Sequence, residues 1–166
     1  MQENFKQLED VTKFMEVMGQ DLPLFPRIPT PKIQELRYNL IKEENEELKK
    51  AFEDGDIIEV ADAGCDLLYV VLGLFKACGM SKELVVELFD EVQRSNMSKV
   101  CANQEEAEKT IDLLTQNDGE TPQEYSMKEV GEYWIVSRVS DNKVMKSINY
   151  SKPDLKSILI NHGVNV

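Results

Sequence analysis

Residues 41–75, IKEENEELKKAFEDGDIIEVADAGCDLLYVVLGLF, decide the fold. Two helical patterns meet there at a short break, EDGD at residues 53–56, and each carries a set of carboxylates. On the first pattern, Glu43, Glu44 and Glu47 sit at spacings of one, three and four. Positions three and four apart are neighbours on a helix surface, so these acids share a face. On the second, Glu59, Asp62 and Asp66 follow at three and four, again a single stripe.

The surroundings make the second stripe informative. Leu67 to Phe75 carries no charge, and Ile57, Ile58, Val60, Ala61 and Cys65 extend the apolar character backwards. A helix apolar nearly all round is predicted to lie in a core. An unpaired carboxylate there is costly, or shifts its pKa until it is neutral. Asp62 and Asp66 therefore need a compensating partner, and the adjoining helix brings only more acid. A divalent metal answers the need, because Mg²⁺ takes hard carboxylate oxygens and keeps waters for substrate phosphates. Two plainer readings stay open beside it. EENEEL is also the composition of a solvated glutamate-rich face, and Asp62 with Asp66 also suits the water-facing edge of an amphipathic helix.

At 166 residues the chain suits one domain with a sizeable core. Its net charge is −12 and it has no basic run, which argues against nucleic-acid backbones and anionic membrane surfaces as partners. An acidic protein still binds phosphates when metal ions bridge the two. The start, MQENFKQLED, is polar and acidic rather than a signal peptide. The longest apolar run, after Asp66, is too short to span a bilayer, so a cytoplasmic location is expected. Cys65, Cys78 and Cys101 are odd in number and lack CxxC spacing, so neither a disulfide framework nor a zinc site is indicated. His162 is the single histidine and lies near the C-terminus, which disfavours His-based triads and the Glu-x-x-His di-iron bundle.

Along the chain, residues 3–18 place Phe5, Leu8, Val11, Phe14, Met15 and Met18 at helical spacing. A proline-rich connector, DLPLFPRIPTP, follows and cannot be helical. Thr30-Pro31 reads as N-cap and first residue of a second helix running to about Phe52. Asp56 is placed to cap a third helix that stops at Gly79, and Ser81 a fourth. RSNMSK, residues 94–99, reads either as a basic helix end favoured by the macrodipole or as a phosphate clamp of Arg94, Asn96 and Lys99. A short helix, QEEAEKTIDLLTQ, comes next. YSMKEV, YWIVSRV and KVMKSI then read as short strands, with Asp141-Asn142 as a tight turn, before a final helix through Leu155, Ile158 and Leu159. The fold class is thus mainly α with a small C-terminal β-hairpin appendage. Residues 1–102 are expected to form the helical catalytic core, with 103–166 an extension packed on the same domain.

EExxEL (Glu43, Glu44, Glu47, Leu48), an acid-bearing helix reading DLLYVVLG, and RSNMSK, in that order, resemble the MazG-like all-α nucleoside triphosphate pyrophosphohydrolases. That superfamily also holds dimeric dUTPases and phosphoribosyl-ATP pyrophosphohydrolases. NKVMKSINYSKPDL is similar to a K-V-x-K…Y…P-D-L segment of its smaller members. The resemblance covers residues 31–99 well and 141–155 moderately, and implies an all-α MazG-like helical bundle. The family signature is ExxE followed by ExxD. Glu44, Glu47 and Asp66 match it, but Ala63 stands where the second motif's Glu belongs. Asp62 lies on the same helical face, and Glu59-Val60-Ala61-Asp62 fits ExxD one turn early, so the choice between Glu59 and Asp62 stays open.

The resemblance implies hydrolysis between the α and β phosphates of a (d)NTP, giving (d)NMP and pyrophosphate in nucleotide-pool house-cleaning. Mg²⁺, with Mn²⁺ as the alternative, would be held by Glu44, Glu47, Asp62 and Asp66 or Glu59, polarising the phosphorus and lowering the pKa of a bound water. Glu43 is the candidate to orient or deprotonate that water. Arg94, Asn96 and Lys99, with Lys143 and Lys146, would hold the outer phosphates. Tyr150 is a candidate base contact, with specificity expected in a pocket shaped by the first helix and the connector. A homodimer or homotetramer is expected. A dedicated dUTPase and a non-catalytic acidic helical module that binds metal or a partner remain the alternatives.

Overall fold

The computed structural model describes residues 5–119 and 121–165. Among them the element order is α1 (Lys6–Val17), α2 (Pro31–Asp54), α3 (Ile57–Ala77), α4 (Lys82–Met97), α5 (Gln104–Asn117), β1 (Tyr125–Val130), β2 (Tyr133–Arg138) and α6 (Leu155–Asn161). The fold is mainly α with a two-stranded antiparallel sheet, as its sequence periodicity predicts. Residues 3 and 4, the expected start of the first helix, lie outside the described residues. Contacts divide the chain into two compact units: Met1–Glu87 with Lys156–Val166, and Leu88–Leu155.

In the first unit, α2 and α3 form a helical hairpin. Gly55 ends α2 at φ 68°, a left-handed conformation that glycine adopts without penalty. Asp56 then starts α3, its Oδ1 accepting from the backbone N–H of Ile58 at 2.9 Å and of Glu59 at 3.3 Å. Such a cap contributes about 0.5–2 kcal/mol. Thr30 differs from expectation. It precedes Pro31 in an extended conformation, but its side chain makes no capping bond; its carbonyl accepts from Ile33 and Gln34 instead.

Leu8, Val11 and Met15 of α1 form a buried cluster with Leu72, Ala77 and Val85. The proline-rich connector is tied to the end of α3 by the Arg27 N–H, which donates to the Cys78 carbonyl at 2.9 Å. Gly79 is obligatory there. Its φ is +74°, and an added Cβ would stand 2.2 Å from the Phe25 carbonyl oxygen.

The prediction that α3 is a core helix all round is corrected. Ala63, Leu72, Gly73 and Ala77 are buried, but Ile57 and Ile58 are about three-quarters exposed and Leu68 half exposed. Asp62 and Asp66 also lie at the surface. The reason is length: α1 spans about 18 Å and α3 about 31 Å. α1 packs on α3 from Tyr69 to Ala77, its C-terminal part, while α2 covers one further side.

In the second unit, α5 packs on both strands around Cys101, Ala107 and Val136. Asn103 caps α5 through the Glu106 N–H at 2.9 Å, and Glu106 Oε2 accepts from Ala102. The strands pair from Tyr125↔Arg138 to Val130↔Tyr133. The third strand predicted over KVMKSI does not form. Its backbone makes one bridge, Ser137↔Val144. Met145 N–H donates to the Val136 carbonyl of β2, but Ser147 N–H then donates to the Lys99 carbonyl and Ile148 N–H to Thr110 Oγ1, so the pairing stops after that one bridge. Asp141-Asn142 does form a turn, with Asn142 at φ 56°, closed by the Arg138 N–H on the Lys143 carbonyl.

Candidate active site

The α2–α3 hairpin sets the two acidic stripes against each other. Glu44 is the member held back from solvent. Its carboxyl lies above the usual range because of desolvation first, and then because of the charges of Asp66, Glu47, Glu43 and Asp62, in that order. Four of the predicted carboxylates therefore gather around the fifth. Glu59 does not contribute to that field; it occupies the first turn of α3, where the helix dipole favours an acid. Ala63 is buried at 4 % exposure.

As placed, no three His, Cys, Asp or Glu side chains among the described residues converge closely enough to ligate one ion. The electrostatics nonetheless fit a hard divalent cation. The group is made of carboxylates, has no lysine or arginine paired into it among the described residues, and raises the proton affinity of its most buried member. Binding a cation relieves that repulsion. Glu44 would hold it with Glu47, Asp62 and Asp66.

Glu44 and Asp66 also border a cleft of about 280 Å³ between α1, α2 and α3. Val11, Phe14 and Met15 line it from α1, and Tyr69, Val70 and Gly73 from α3. Phe14 and Tyr69 meet edge to face, with ring centroids 5.7 Å apart. Arg37 and Gln20 complete the wall. Neither was predicted as a site residue, although Arg37 carried a signal: it is a charge on the Ile33, Leu40, Ile41 stripe of α2.

The basic candidates lie in the second unit. Residues 147–154 strap onto the end of α4: Ser151 N–H donates to Ser98 Oγ at 3.0 Å, and Arg94 Nη2 to the Lys152 carbonyl at 3.1 Å. The Lys146 ammonium sits 4.4 Å from the centre of the Tyr150 ring. A hydrogen bond with Ser95 holds the Tyr150 phenol below its usual value against desolvation, with lesser contributions from the charges of Lys146, Lys99 and Lys152. Lys99 Nζ donates to Asn96 Oδ1 at 2.7 Å. Lys99, Asn96, Lys146 and Tyr150 are thus brought together, with Lys152 an addition that sequence did not suggest. Lys143 is not among them; it lies beside Asp141 in the turn.

Arg94 is engaged by Glu91, which accepts from its Nε at 2.6 Å and its Nη2 at 2.7 Å. That pairing, and the Asp154 N–H, hold Glu91 down to about 2. A folded pKa below the ordinary 4.5 contributes stability that is complete above 4.5 and lost as pH falls towards 2. The stability lost in Glu91→Gln is therefore expected to be constant from pH 7 to 5 and to vanish towards pH 2 in urea titrations. A difference persisting unchanged to pH 2 would contradict the pairing.

Among the described residues no helix is long and apolar enough to cross a membrane. One similar protein is the "Uncharacterized protein L479" of Acanthamoeba polyphaga mimivirus. It is 31% identical over 75 residues, which is 44% of this chain and 30% of that protein. The family model described as Phosphoribosyl-ATP pyrophosphohydrolase matches residues 11–96, the stretch that holds α2, α3 and the acidic group of Glu43, Glu44, Glu47, Asp62 and Asp66. With just over half its length matched, and with the helical hairpin that carries the acids, the chain belongs to the phosphoribosyl-ATP pyrophosphohydrolase family, within the MazG-like all-α nucleoside triphosphate pyrophosphohydrolase superfamily.

Proposed function

We propose that the protein is a metal-dependent nucleoside triphosphate pyrophosphohydrolase that releases pyrophosphate and leaves a nucleoside monophosphate. The observation that carries this is the raised, partly desolvated Glu44 with Asp66, Glu47, Glu43 and Asp62 around it. Carboxylates massed in this way repel one another, a counter-charge relieves that repulsion, and a triphosphate brings its own divalent ions. Mg²⁺, or Mn²⁺, held by Glu44, Glu47, Asp62 and Asp66 supplies charge neutralisation and polarisation of the α-phosphorus. Asp62 is preferred to Glu59 because it contributes to the field at Glu44. Glu43, exposed beside the group, orients the attacking water and accepts its proton. In the second unit, Lys99, Lys146 and Lys152 around Tyr150 form a group suited to phosphate oxygens.

The test is incubation of the purified protein with common (d)NTPs, dUTP and oxidised variants, with Mg²⁺ or Mn²⁺, resolving pyrophosphate from phosphate. Monophosphate with pyrophosphate, dependent on metal, is the expected result. Folded protein that binds the metal yet turns over no nucleotide would replace this reading with a binding module.

A further inference from the structure

Arg37 is 6 % exposed and belongs to the first unit's cleft, yet it is not paired as a structural arginine would be. Its Nη2 donates to Gln20 Oε1 at 2.5 Å and touches Met15 Sδ at 3.7 Å. Its Nε is buried and lacks an acceptor. Among the described residues no carboxylate forms an ion pair with it, and desolvation holds its pKa below the usual value. A buried charge left this way is costly, and the cost is recovered when a ligand supplies the missing acceptors.

The protein makes room for this guanidinium. At Gly73 an added Cβ would stand 2.7 Å from Arg37 Nη1, so the arginine lies flat on α3 where a side chain would otherwise be. Arg37 stands level with Gly73, and Glu44 with Asp66, two turns nearer the hairpin break. Two turns amount to about 10.5 Å along the helix axis. The rest of the cleft is apolar and aromatic, with Phe14 and Tyr69 offering ring surfaces beside the arginine. At about 280 Å³ the cleft is near the lower end of small-molecule pockets, roughly 300–1,000 Å³.

We infer that this cleft is a nucleobase pocket in which Arg37, steadied by Gln20, reads two adjacent hydrogen-bond acceptors on the base edge. Guanine presents such a pair at O6 and N7, cytosine at O2 and N3; adenine and thymine alternate donor with acceptor along their edges. A phosphate is the poorer occupant, because it would lose its hydration against Val11, Phe14, Met15 and Val70 for a single guanidinium. The inference rests on the pyrophosphohydrolase reading only for the phosphates, which that reading puts at Glu44 and Asp66, about the length of a whole nucleoside from the arginine.

The experiment is calorimetric titration of the four common 2′-deoxynucleosides, in metal-free buffer, into the wild type, Arg37→Met and Gly73→Ala, with inorganic pyrophosphate titrated separately in the presence of Mg²⁺ as the phosphate-only probe. Gly73→Ala displaces the guanidinium while alanine favours the helix, so it stays informative where Arg37→Met fails to fold. Deoxyguanosine or deoxycytidine is expected to bind the wild type tightest. Each variant is expected to lower that affinity by about 5- to 150-fold and to flatten the preference, leaving pyrophosphate binding unchanged. Three outcomes overturn the inference: a wild type without nucleoside preference or binding, a preference that survives in the variants, or an equal loss of pyrophosphate. A nucleoside preference in a wild type that hydrolyses no triphosphate would instead sink the pyrophosphohydrolase reading alone.

Discussion

Asp66→Asn is expected to lower kcat for triphosphate hydrolysis by on the order of a thousandfold while the fold stands. Asp66 is at the surface and packs nothing away, so its removal leaves no cavity. What it supplies is charge, and among the charges it is the largest contributor to the raised pKa of Glu44. The sign of the stability effect follows. A carboxyl whose folded pKa lies above 4.5 contributes least to stability once pH has risen through that folded value. Removing a neighbouring charge brings Glu44 back towards its ordinary range, so the metal-free variant is expected to melt no lower than the wild type at pH 7. Adding Mg²⁺ is expected to raise the wild-type Tm, because binding to the native state alone stabilises it, and to raise that of the variant less. Turnover and thermal unfolding with and without the metal measure both halves. Full activity in Asp66→Asn, or in Glu47→Gln, would remove the acidic group from the mechanism.

Leu72→Ala is expected to cost about 2–5 kcal/mol, through lost transfer energy and the cavity left behind. Leu72 is 3 % exposed and shares a buried cluster with Leu8, Val11 and Met15, which fixes α1 on α3. A domain stability of about 5–15 kcal/mol makes that a large fraction. Leu68, one turn earlier on the same helix, is 53 % exposed, and Leu68→Ala is expected to stay within about 0.5 kcal/mol in the single chain. Urea midpoints for the two variants decide the matter. Equal losses would show that the Leu68 face is covered in solution. That outcome would favour the expected homo-oligomer.

Much of the fold was legible because its signals are local. Asp56 and Ser81 sit where their side chains reach the first N–H groups of the next helix, and both do so. Gly55 and Gly79 stop helices by a backbone conformation that other residues resist. The third strand was misread because alternation in KVMKSI describes only its side chains. Whether a ladder forms depends on where its N–H groups find acceptors, and Lys99 and Thr110 provide them from distant positions.

The site divides in the same way. Spacing alone put Glu43, Glu44 and Glu47 on one helix face and Asp62 and Asp66 on another, since helical period is a property of the local chain. Burial was beyond it. An apolar composition in α3 promised a core, yet the short α1 covers only part of that helix, a matter of how lengths match once the helices pack. The raised pKa of Glu44, the exclusion of Glu59 from its field, and the buried, incompletely bonded Arg37 opposite Gly73 also exist only after packing. Desolvation and Coulomb energy depend on distances between helices, and spacing along the chain does not contain them.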